Sequence, residues 1–153
     1  MHPRYDTAVY ACNVQRCDVF DAFARGLLLD CARLLLRAGA SPLATPKSTR
    51  AAPPLFTAVA GMNVPLCELM LQHVDRRRTD WWWLDARCTS VLHLLVFSCT
   101  RHHARLDMGA FPQLVRMLTS RGASLTRADA AGLTPLAFAR SRQLMPEYCA
   151  LLQ

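Results

Sequence analysis

Three groups of residues in this 153-residue chain are of types that could do chemistry, and spacing decides how far each can be taken. Cys99, His102 and His103 stand three and four positions apart, which puts them on one face of a helix, with Cys88 eleven residues earlier. Zinc needs four such ligands in tetrahedral reach, and the spacing lacks a close cysteine pair. The competing reading is a core cysteine beside a solvated histidine pair, and no metal is expected. The second group is Arg76, Arg77 and Arg78 followed by Trp81, Trp82 and Trp83. Three adjacent tryptophans cannot all enter one core. Arginine and tryptophan supply much of the energy at protein interfaces, so these six are the candidate partner-binding residues. One or two rings packing beneath neighbouring segments, or arginines on phosphates with tryptophans stacked on bases, are the alternatives. The third group is the scattered Ser, His and Asp residues. They form no G-x-S-x-G elbow and no H-E-x-x-H pair, and no glycine-rich phosphate loop is present, so neither catalytic residues nor a cofactor are expected.

Composition bounds the elements that must position these groups. With 52% apolar and 19% charged residues the chain can bury a core, and its length suits one compact domain or a short solenoid. The N-terminal residues lack an apolar signal region, and the longest apolar runs, such as Val91 to Phe97, are too short to span a bilayer. The chain is expected to be intracellular, cytoplasmic or nuclear. Seven cysteines, four of them inside apolar helical segments, fit free buried thiols better than a disulfide frame. The formal charge is +7, and Lys47 is the one lysine among 18 cations, so a basic surface favours acidic partners.

The positioning elements repeat. Thr7-Ala8-Val9-Tyr10-Ala11-Cys12 leads to Gly39-Ala40-Ser41, and 83 residues later Ser90-Val91-Leu92-His93-Leu94-Leu95 leads to Gly122-Ala123-Ser124. Pro53-Pro54-Leu55-Phe56-Thr57-Ala58 and Gly132-Leu133-Thr134-Pro135-Leu136-Ala137 open two further copies. Each copy starts with a short apolar helix introduced by Thr, Ser or Pro, residues that suit a helix start. Each complete copy continues into a second helix, for example through Leu28, Cys31, Ala32, Leu35 and Leu36. Gly39 and Gly122 are expected to close two of these second helices in the left-handed conformation. Stacked copies bury their apolar faces against their neighbours, which indicates a binding scaffold rather than a catalytic pocket.

The run Gly132-Leu133-Thr134-Pro135-Leu136-Ala137 resembles the G-x-T-P-L-H opening of an ankyrin repeat, and Leu34-Leu35-Leu36-Arg37-Ala38-Gly39-Ala40 resembles its L-L-L-x-x-G-A ending. The intervals from Leu55 to Val74 and from Gly122 to Leu136, 19 and 14 residues, match the family's. The resemblance covers nearly the whole chain. It implies an all-α ankyrin-repeat solenoid of about four helix-turn-helix units, near 7–52, 53–89, 90–131 and 132–153, with hairpin-loop fingers between them. Partners would be held by the fingers and the concave face of short first helices.

The chain departs from the family at several points. Val74 stands where a glycine is usual, and Tyr10, Phe56 and Ala137 replace the family histidine that His93 keeps. Units one and three are each 11 residues longer than usual, around 13–26 and 96–109, which lengthens paired helices or the turn between them. The fourth unit is incomplete, and its Tyr148-Cys149-Ala150-Leu151-Leu152 lacks a polar outer face. An imperfect cap, a shortened relative of a longer array, or a covering partner would each account for that. The implied function is a protein-binding adaptor. A substrate-recruiting module related to cullin-type ubiquitin ligase adaptors, without the cullin- and elongin-binding box, is the alternative. A basic nucleic-acid binder ranks third.

Overall fold

The computed structural model describes residues 19–44, 53–75, 90–102 and 109–153, with the side chains of 19–26 and 101–102 set aside. All seven regular elements among them are helices: α1 (Val19–Arg37), α2 (Pro54–Ala60), α3 (Val64–Gln72), α4 (Val91–His102), α5 (Ala110–Ser120), α6 (Pro135–Ser141) and α7 (Pro146–Ala150). None of these is long and apolar enough to cross a membrane.

The helices start where the chain provides a cap. Thr134 accepts from the Ala137 amide at 3.2 Å, and Asn63 accepts from Leu66 at 3.2 Å. Pro54, Pro135 and Pro146 occupy first turns, where a missing N–H costs nothing. Helix ends share one device. Gly39 donates to Leu36 O and Ala40 to Leu35 O, while Gly122 donates to Thr119 O and Ala123 to Leu118 O. This is the paired closure in which one residue turns left-handed, and the glycines have φ of 89° and 97°. The same two bonds recur where α2 and α6 end, with Met62 (φ 53°) and Gln143 (φ 59°) in the glycine's place. α3 ends differently. At Val74 no left-handed residue forms, and instead Arg121 reaches across from the end of α5 to donate to Leu71 O at 2.7 Å.

The helices pack in two rows. α2, α4 and α6 follow one another in the first row, and α1, α3 and α5 in the second. Cross-contacts join α2 to α3, α4 to α5 and α6 to α7, while α1 meets its row neighbour α3. The core lies between the rows and is continuous: Leu55, Phe56 and Val59 join Leu66, Cys67 and Leu71, then Leu92, Leu95 and Cys99, then Phe111, Leu114 and Leu118. α5 buries Ala110, Phe111, Leu114, Val115 and Leu118, the one-sided spacing of an amphipathic helix.

Two expectations about the long units meet helix. α4 has 12 residues where α2 and α6 have 7, so part of the third unit's extra length extends its first helix. α1 has 19 residues and takes in Val19 to Gly26, the later part of the first unit's extra length. At the far end, Cys149 and Leu152 are buried and Tyr148 stacks edge-on against Phe111 at 5.2 Å. Tyr148, Cys149 and Leu152 therefore turn inward. Cys31 is the departure among the four described cysteines. Cys67, Cys99 and Cys149 are buried as expected, but Cys31 is exposed, its side of α1 meeting no other helix among the described residues.

Candidate functional site

The register of the repeats decides which side chains of the first row reach solvent. Thr57 of α2, Leu94 of α4 and Phe138 of α6 hold equivalent positions, and all three are half-buried beside fully buried neighbours. Three residues on in α4, Phe97 is half-buried as well. Arg142, exposed at the end of α6, lies over both rings, its guanidinium carbon 5.5 Å from the Phe97 centroid and 5.2 Å from that of Phe138. A planar cation stacked on aromatic faces is held at little entropic cost and keeps its donors for a ligand. Leu94, Phe97, Phe138 and Arg142 thus combine apolar area with an oriented charge.

A buried polar tie sets this surface. Ser90 N–H points at His93 Nδ1 at 3.3 Å, so that nitrogen accepts, and the Ser90 hydroxyl sits 2.7 Å from it. His93 Nε2 therefore carries the proton and donates to Leu133 O at 2.9 Å. The ring also meets Phe138 edge-on at 5.6 Å. One side chain thereby caps the start of α4, anchors the turn that introduces α6 and backs the exposed aromatic. That turn is built by Asp129, whose carboxylate accepts from the amides of Ala131 and Leu133 at 2.9 Å each, with Gly132 left-handed at φ 78°. The Ser–His contact has the atoms of a nucleophile and base, but both residues are buried and both imidazole nitrogens are bound within the fold.

Arg76, Arg77, Arg78, Trp81, Trp82 and Trp83 lie outside the described residues, as do Cys88 and His103. Cys99 is fully buried, and its thiol faces Met62 Sδ at 3.6 Å. Desolvation by that burial pushes the thiol up to about 12. No group of three or more metal-binding side chains is assembled among the described residues.

No family model and no curated protein matches the chain. Sequence reasoning missed Phe97, Phe138 and Arg142. Aligning Thr57 and Leu94 with Phe138 in the repeat register would have found the row, since a position just outside a repeated core stripe is where side chains reach solvent. The stacking of Arg142 needed coordinates.

Proposed function

We propose that this chain is an ankyrin-type repeat scaffold that holds another protein, without chemistry of its own. The observation that carries the reading is the row of Leu94, Phe97 and Phe138 under Arg142, on helices that meet mainly their sequence partners and row neighbours. Repeats stacked in this way form an extended, rigid surface, and binding to a rigid surface loses less conformational entropy. The +7 charge draws an acidic partner toward the array, and aromatics anchor it on arrival. Arg76, Arg77, Arg78, Trp81, Trp82 and Trp83 are proposed to extend the contact from the connection between units two and three.

Quantitative affinity capture from cell extract tests the reading with the chain compared against its own variants. Arg142→Ala with Phe97→Ala should reduce recovery of the specific partner by about tenfold or more, as loss of hot-spot residues does, while the helical circular dichroism stays the same. Trp81→Ala, Trp82→Ala and Trp83→Ala together should do likewise. Capture that is identical for all three proteins would overturn the assignment of both surfaces.

A further inference from the structure

The helices of the first row carry no carboxylate: α2, α4 and α6 contain neither Asp nor Glu. Their shared face is therefore one-sided in charge. Arg142 is the one described cation that meets its rings, 5.5 Å from the Phe97 centroid and 5.2 Å from that of Phe138. Arg140, two positions earlier, is turned about 200° away around the helix. Among the described residues, no carboxylate pairs with Arg142 and no acceptor bonds its guanidinium. Asp129 commits its carboxylate to the amides of Ala131 and Leu133, and Glu147, in the first turn of α7, does not pair with Arg142.

A guanidinium presents its donors in a flat fork, and one laid on aromatic rings loses water from the covered side while the fork stays open at its edge. A carboxylate matches that fork with two parallel bonds. One stacked guanidinium balances one negative charge, so a dianionic phosphate would leave charge uncompensated against the rings. On α4, Leu94 lies one turn before Phe97 on the same side, and both are half-buried. The fork of Arg142 is thus continuous with an apolar strip.

We propose that this face takes an acidic side chain of the partner, its carboxylate paired bidentately with Arg142 and an apolar residue of the same segment laid over Leu94 and Phe97. Phe97 and Phe138 act as positioning residues that hold the guanidinium flat. The inference rests on the reading that the first row holds a partner protein, and it adds which group of that partner is recognised. In an extended segment, residues two apart project to one side about 7 Å from each other. An acid with leucines two positions away therefore presents both chemistries to the face at once.

Blocked pentapeptides titrated into the full chain test this, with arginine side-chain N–H signals read by nuclear magnetic resonance and that of Arg142 assigned by its loss in Arg142→Lys. The peptide Leu-Ala-Glu-Ala-Leu should shift the Arg142 signal. The same peptide with glutamine or phosphoserine in place of the glutamate should bind about tenfold or more weakly, the loss of a charge-assisted pair. Arg142→Lys should weaken the glutamate peptide by about as much, since a point charge lacks the fork, and its circular dichroism should not change because the position is exposed. Phe97→Leu and Phe138→Leu should weaken binding and also move the free Arg142 signal downfield, because the ring current over the aromatic faces is lost. No shift at millimolar peptide, equal binding of the glutamate and glutamine peptides, a tighter phosphoserine peptide, or an Arg142 signal indifferent to removal of the rings would each overturn the proposal. So would binding that appears only in Asp107→Asn, since a carboxylate of the chain itself would then hold Arg142. If the peptides fail while capture from extract still depends on Phe97 and Arg142, the scaffold reading stands and this inference falls. Peptides that bind beside capture indifferent to those residues give the reverse.

Discussion

Met62 and Gln143 hold the left-handed conformation that Gly39 and Gly122 hold, but with side chains attached. A β-carbon in that conformation costs about 1–2 kcal/mol. For Met62 the cost is offset by burial, since its side chain enters the core and its sulfur meets the Cys99 thiol. Gln143 is exposed and gains no such packing. Gln143→Gly should therefore raise stability by about 0.5–1 kcal/mol, the relief of strain being partly cancelled by the added freedom of the unfolded chain. A urea titration reads this directly, and an unchanged or lower midpoint would show that the turn carries no strain. His93 illustrates the opposite economy, with two ring nitrogens and one ring edge all used in a single buried place.

Among the elements, α3 depends most on its neighbours. It lacks the closing glycine, and two side chains attend its last carbonyls: His73 Nδ1 lies 3.1 Å from Leu69 O, and Arg121 donates to Leu71 O. Arg121 comes from the next helix of the same row, so the bond also ties α3 to α5. Arg121→Ala should cost about 1–2 kcal/mol in chemical denaturation, the range for a charge-assisted hydrogen bond that is half open to solvent. Hydrogen exchange should quicken most at the C-terminal turn of α3. A loss spread evenly over the molecule, or none, would mean that the carbonyl is equally well served by water. α4 runs five residues beyond the length of α2 and α6, which makes it the longest member of the first row among the described residues.

At the scale of the whole molecule, the core runs unbroken between the rows, and Cys67 and Cys99 lie inside it. Desolvation pushes both thiols from an ordinary 9.0 up to about 12. The folded state then holds these protons more tightly than the unfolded chain does. Their contribution to stability is complete below pH 9 and is lost as pH rises from 9 toward 12. The unfolding midpoint should fall across that window, and Cys67→Ala with Cys99→Ala should flatten the fall even though the variant starts lower from loss of volume. An equally steep fall in the variant would assign the effect to other groups. Because the core runs from α2 to α7 without a gap, denaturation of this part should be a single transition.

The helical class was readable in the sequence because apolar residues at helical spacing, introduced by Thr, Ser or Pro and closed by Gly, demand helices locally. The helical class, the left-handed glycines and the buried state of three cysteines followed from that pattern, since each depends on neighbours within a few turns. What the tertiary structure alone decided depends on residues far apart in the chain. Arg142 meets Phe97 across 45 positions, Arg121 meets Leu71 across 50, and His93 meets Leu133 across 40. The exposure of Cys31 belongs with them. Leu28, Cys31 and Leu35 sit in one helical pattern in the sequence, but burial is a property of what stands opposite a face. Only packing separates the side of α1 that faces the core from the side that faces solvent.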